Sequence, residues 1–189
     1  MAPSASGVDL AGVVVQLGSH MTGPVVVAAG DLDDPSVVRL LADHLSDMNA
    51  TSPPESVHAL DLSGLRAAQV SFWTASVDGS VCGCVALKEL DPCHGELKSM
   101  RVDAASRGRG LGALLHNHVL AETRRRGYRR VSLETGAMSF FEPARRLYAR
   151  SGFVPCPPFA DYRPDPNSVF LTLDLAGGNP EARRATQPS

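Results

Sequence analysis

Glu96-Leu97-Lys98-Ser99-Met100-Arg101-Val102 and, after four more residues, Arg107-Gly108-Arg109-Gly110-Leu111-Gly112 form the stretch on which the fold turns. The first segment reads as a strand, and the second is a loop short of Cβ atoms. Such a loop lets successive backbone N–H groups turn toward one anion, and a helix starting near Leu111 adds its positive end. Arg107 and Arg109 contribute charged donors suited to a diphosphate, and Ala113 completes the candidate binding set in the first helical turn. The plain alternative is a glycine-rich turn that only joins two elements.

Outward from the loop, periodicity supplies the rest. Leu111, Leu115 and Val119 recur every fourth residue, so a helix is expected from Leu111 to about Arg126, with Gly127 as its stop. Arg130 to Thr135 reads as a strand, Pro143 to Arg150 as a short helix, and Ser168 to Leu175 as a last strand. Upstream, Val70–Val77 and Val81–Leu90 flank Asp78-Gly79, a hairpin signal. Val25–Ala29 suits a first strand, and Asp34-Pro35 starts a helix to about Asn49 whose apolar face is Val37, Leu41, Leu45 and Met48. Pro53-Pro54 breaks it, and Val57 to Ala67 holds a second short helix.

Three nucleotide-binding readings compete for the loop. Walker A fails, because no lysine followed by serine or threonine closes it. The dinucleotide fingerprint stays open: Gly108, Gly110 and Ala113 fit G-x-G-x-x-A, and Glu134 ends a strand about twenty residues on. Against it, the preceding strand alternates charged and apolar residues and five polar or small residues separate it from Gly108. The third reading comes from a second signature downstream, Ala144-x-x-Leu147-Tyr148-x-x-x-Gly152-Phe153. With Arg107, Gly110 and Gly112 filling a Gln/Arg-x-x-Gly-x-Gly/Ala loop, residues 96–153 resemble the Gcn5-related N-acetyltransferase (GNAT) superfamily. The chain also looks similar to a poorly characterised bacterial subgroup of it.

The resemblance implies an α/β fold of the α+β mixed-sheet kind, with a mostly antiparallel central sheet, two splayed parallel strands and about four flanking helices. It implies acetyl-CoA as cosubstrate. The pantetheine arm would bond to backbone groups of Met100, Arg101 and Val102, and the diphosphate to N–H groups from Arg107 to Gly112. Where the family often carries an asparagine, this chain has Phe141. Acyl transfer to an amine needs a neutral nucleophile, a stabilised oxyanion and a proton for the departing thiolate. Tyr148 matches the family tyrosine facing the cofactor sulfur, and Glu96 the position of a glutamate base; inward packing and a solvent-facing strand position are their respective alternatives. The backbone N–H of Met100 or a neighbour would meet the oxyanion. Substrate contacts are expected from Ser52 to Leu65, where Glu55, His58 and Asp61 can hold a cationic amine, from Glu134 and Thr135, and from Tyr162 in the segment Phe159 to Arg163. A binder of acyl-CoA without turnover, acting as a sensor, is the other class of function.

Composition narrows the partners. With 18 basic and 20 acidic side chains the formal charge is −2, so no global field favours nucleic acid or an acidic membrane. Apolar runs are far shorter than the roughly 20 residues of a membrane span. A cytoplasmic monomer or homodimer acting on a small-molecule amine is the expectation, with nucleic acid and membrane left out. Cys82, Cys84, Cys93 and Cys156 are expected to be reduced thiols, and Cys82 and Cys84, two apart on a strand, to share a face without forming a metal site. Arg124 to Arg126 and Arg129-Arg130 suit a helix C-terminus, with a role at the cofactor 3′-phosphate as a further option. One domain is expected over residues 24–175. Residues 1–23, which include Gly18-Ser19-His20-Met21, read as an extension or tag remnant outside the fold, and 176–189 as a polar disordered tail.

Overall fold

Asp34 starts the first helix. Its carboxylate accepts the Ser36 N–H at 2.8 Å just ahead of Pro35, so α1 (Pro35–Thr51) begins where the aspartate–proline pair predicts. The inward stripe differs slightly from expectation: Val37, Leu40, Leu41 and Met48 are buried, and Leu45 is only half-buried. At 3.6 residues per turn the stripe runs 37, 41, 44, 48, which puts His44 on the inner face. Helix α2 (Leu62–Leu65) is shorter than expected and is capped by Asp61. The computed structural model describes residues 12–15, 23–53, 56 and 60–175. Gly18 to Met21, Glu55, His58 and the tail 176–189 lie outside the described residues.

Strands β1 (Val13–Val15), β2 (Val25–Ala29), β3 (Val70–Val77), β4 (Ser80–Asp91) and β5 (His94–Val102) form an antiparallel meander in sheet order. The β3–β4 turn is the two-residue kind its sequence signals, with Asp78 and Gly79 both at positive φ. Strand β1 corrects the domain start drawn at residue 24. Val13, Val14 and Val15 pair with Val27, Val26 and Val25, because three β-branched residues meet an open strand edge.

After β5 the pattern changes. Helix α3 (Leu111–Arg125) crosses the sheet and β6 (Arg130–Gly136) returns parallel to β5, followed by α4 (Glu142–Arg150), β7 (Val154–Pro155) and β8 (Ser168–Asp174). The order β1-β2-β3-β4-β5-β6-β8-β7 has one parallel pair among the described strands. That pair is short: His94, Gly95 and Glu96 face Arg130, Val131 and Ser132, and beyond Glu96 the strands part. This is the expected splay, and β6 goes on to pair with β8 instead.

Two cores sandwich the sheet. On one face Leu111, Leu115 and Val119 of α3 pack on Val85, Leu87 and Leu97; on the other Val37, Leu40 and Leu41 of α1 cover Phe72, Cys84 and Ala86. Each fully buried leucine contributes roughly 1.5–3 kcal/mol. A bulge at Ala75/Ser76 inserts an extra residue in β4, so Cys82 packs against the first core and Cys84 lies in the second. The expectation that they share a face is therefore overturned. All four cysteines are free, and no group of three metal-ligating side chains occurs among the described residues. No helix of the described residues is long and apolar enough to cross a membrane.

Candidate active site

The glycine loop owes its shape to two left-handed residues. Gly108 and Gly110 have φ of 76° and 87°, a conformation that side chains rarely adopt, and Gly110 is the N-cap of α3. Behind them Leu111 is buried in the core and pins the helix N-terminus. A Cβ at Gly112 would meet its nearest neighbours, Leu147, Met100 and Val102, only at 3.8–4.0 Å, so protein packing does not require glycine there. Its bareness keeps the first turn of α3 open toward a groove.

That groove, a cavity of about 470 Å³, runs between β5, the loop and α4. Met100, Arg101, Val102, Arg107, Gly108, Gly110, Leu111 and Gly112, all expected to bind cofactor, line it; Arg109 and Ala113 are exposed and do not. Asp47 of α1 accepts from Arg101 Nη1 at 2.9 Å and lies 3.7 Å from Arg107, so two guanidinium groups share one carboxylate. Arg101 Nε and Ser99 Oγ are buried with no hydrogen-bond partner among the described residues. A groove with surplus cation, buried polar atoms left over and an open helix N-terminus fits an anionic ligand extended along β5. The arginines at the far end of α3 do not share in it. A 15-residue helix is about 22 Å long, and Arg125 and Arg126 pair with Glu122 while Arg126 also lies over Trp73.

Ser99 marks the middle of the splay. Between the pairs Ala86–Lys98 and Cys84–Arg101, β5 carries one residue more than β4, and Ser99 takes a φ of 49°. This bulge lies beside a small cavity of about 90 Å³. Glu134, Thr135 and Tyr148 line it with Met100 and Ser99, so these expected residues come together where the strands part. His44 and Phe141 line both the small cavity and the groove. Phe141 stands where the family's asparagine is expected, and its ring covers Gly136, where a Cβ would collide with it. His44 was missed by sequence reasoning, although the 3.6-residue stripe through Val37, Leu41 and Met48 passes through it. Burial, and then the Arg101 charge, lower its pKa to about 4.

Tyr148 is 5 % exposed and belongs to the first core, packed on Phe153 and His116, so inward packing and a cavity position both hold. Burial, and secondarily the Glu134 charge, push its hydroxyl far above the ordinary range, which keeps it protonated at neutral pH. Glu134 accepts from Ser168 Oγ at 2.7 Å.

Glu96 is 2 % exposed, so the solvent-facing alternative is overturned. Its Oε1 accepts from Tyr162 Oη at 2.6 Å and from Lys98 Nζ at 3.0 Å, and Lys98 also donates to Tyr162 Oη at 2.6 Å. Burial, and then the Glu96 charge, hold the Tyr162 hydroxyl far above its usual pKa. These three side chains stand at one end of a third cavity, about 610 Å³, walled by the loop Ala160 to Asn167. Lys98 lines both this cavity and the small one, and Met100 lines both the small cavity and the groove. Asp61 takes no part, because its carboxylate caps α2 by accepting from Gly64 N–H at 2.7 Å and Ser63 Oγ at 2.8 Å. Ser56, from the other expected wall, is buried and accepts from Asn167 Nδ2 at 3.3 Å.

A family model described as the acetyltransferase (GNAT) family matches residues 37–153. Among curated proteins the chain is similar to YsnE of Bacillus subtilis (strain 168), named an uncharacterized N-acetyltransferase, at 51 % identity over 145 residues, 77 % of this chain and 96 % of that one. Among solved structures it is similar to a provisionally named acyl-CoA N-acyltransferase from Klebsiella pneumoniae, with a TM-score of 0.68 at 30 % identity over 80 % of this chain and 97 % of the other. A GNAT family acetyltransferase from Elizabethkingia anophelis with acetyl-CoA bound has the same fold, with a TM-score of 0.59 at 18 % identity over 80 % and 98 % of the two chains.

Proposed function

The chain belongs to the acetyltransferase (GNAT) family, and from that premise we propose that it transfers an acetyl group from acetyl-CoA to a primary amine of a small molecule within a ternary complex. The observation that carries this reading is the parting of β5 and β6 after Glu96, with a cation-rich groove on one side and a charged cavity on the other. A groove and a cavity that each share lining residues with one small cavity between them suit two substrates that must touch at one atom each.

Acetyl-CoA supplies an acyl group activated as a thioester. The backbone of Met100, Arg101 and Val102 holds the pantetheine arm, and N–H groups from Arg107 to Gly112 hold the diphosphate, with Arg101 and Arg107 supplying charge. In the acceptor cavity Glu96 takes the proton of the incoming ammonium, directly or through the Tyr162 hydroxyl that donates to it. Lys98 holds both groups in place. Tyr148, kept protonated by burial, gives its proton to the departing sulfur. Burial of Tyr148, Glu96 and Lys98 also keeps bulk water from competing with the amine.

Thermal unfolding with acetyl-CoA, CoA and the nicotinamide dinucleotides, followed by free-thiol release over a panel of amines, tests this. Acetyl-CoA at a hundred times its Kd is expected to stabilise the fold by about 2.7 kcal/mol, and at least one amine to release thiol. Stabilisation by a nicotinamide dinucleotide alone would sink the proposal.

A further inference from the structure

The acceptor cavity is lined by both signs of charge, Lys88, Lys98 and Arg163 against Glu96, Asp161 and Asp165, and what distinguishes them is their placement around Glu96. Lys88 is the direct cross-strand partner of Glu96, and Lys98 follows Glu96 by two residues, so all three side chains share one face of the sheet. Lys98 is already engaged by Glu96 and Tyr162. Lys88 is half-buried, lines the same cavity and makes no hydrogen bond or ion pair among the described residues. Arg163, on the opposite loop, lines the cavity likewise without a partner among them. The same loop also brings two carboxylates to the cavity, Asp161, exposed as Arg163 is, and Asp165, which accepts from the Asn167 N–H at 2.8 Å.

Around Glu96, then, one carboxylate stands between two ammonium groups. An acceptor carrying only an ammonium charge meets like charge on both sides of the group that must deprotonate it. One that also carries a carboxylate satisfies the unpaired Lys88 while its amine is directed to Glu96, and Arg163 adds a second cation at the mouth. We infer that the acceptor is an amino acid, a small molecule with amine and carboxylate a few bonds apart, and that Lys88 reads the carboxylate. The inference rests on the acetyl-transfer reading above and names the class of its acceptor.

The test pairs amino acids with the amines that lack only the carboxylate: L-phenylalanine with phenethylamine, L-tryptophan with tryptamine, L-leucine with isopentylamine. Thiol release from acetyl-CoA gives kcat/KM for each with the wild type, Lys88→Gln and Lys88→Arg. At least one amino acid is expected to exceed its amine by tenfold or more. Lys88→Gln is expected to reduce that ratio at least tenfold, and Lys88→Arg to restore most of it. A second readout needs no turnover: the matching N-acetyl amino acid is expected to raise the Tm of the CoA-saturated wild type, and to raise that of Lys88→Gln less. Amines that equal or exceed their amino acids, or a Lys88→Gln variant that lowers both alike, overturn the carboxylate while leaving acetyl transfer standing. If acetyl-CoA raises the Tm and no acceptor of either kind is acetylated, the acceptor class is overturned in favour of a non-catalytic binder. If acetyl-CoA does not bind at all, both readings fall together.

Discussion

Tyr148 carries the sharpest expectation at the level of a single residue. Its hydroxyl lies at the small cavity while its ring belongs to the core, so Tyr148→Phe removes a proton donor and leaves the packing. Thiol release should fall by roughly 10²–10⁴-fold, the usual contribution of a positioned acid, with acetyl-CoA binding and Tm little changed. A loss below about threefold would remove Tyr148 from the chemistry. His44 yields a different kind of expectation. Its folded pKa of about 4 lies below the ordinary histidine value of 6.5, so between those values the unfolded chain binds the proton more readily. Stability is therefore complete above about pH 6.5 and declines as pH falls toward 4, by about 1–3 kcal/mol from this one group. His94, His116 and His118 are shifted the same way, each chiefly by burial, so His44→Gln should flatten only part of the decline in Tm between pH 7 and pH 5. No change in that slope would mean that the imidazole is solvated.

Among the elements, the turn joining the β5 strand to α3 separates stability from binding. Gly112→Ala meets ample space and replaces a poor helix former, so the fold should gain up to about 1 kcal/mol. The same methyl narrows the groove, and acetyl-CoA affinity should fall at least tenfold; calorimetric titration beside a thermal melt reads both signs. Equal affinity would show that the ligand does not approach the first turn of α3. Local signals made most elements legible: a cap before proline, apolar residues every fourth position, Asp-Gly between two β-branched runs. The glycine loop and the Tyr148 signature were legible for the same reason, because each lies within one short segment. What escaped depends on pairing. The bulge at Ser99, the separation of Cys82 from Cys84 and the approach of Lys88 to Glu96 are set by which residue of β4 faces which residue of β5 or β3, and register is not written in either strand alone. Strand β1 escaped similarly, since three valines signal nothing until β2 offers its edge.

For the molecule as a whole, the order of the sheet matters more than any one contact. Five strands, β1 to β5, lie on one side of the parting, and β6, β8 and β7 lie on the other. Each group is also an uninterrupted length of chain, and three residue pairs join them directly at the parallel strands. Glu96, Lys98 and Met100 come from the first length, and Tyr148 and Tyr162 from the second. Neither half contains all residues of the proposed centre by itself. Gly127, exposed and left-handed at the end of α3, lies on the chain between them. Cut there, the protein becomes a two-piece reporter: pieces ending and beginning at Gly127 should be silent apart, and thiol release on mixing would count the complexes they form.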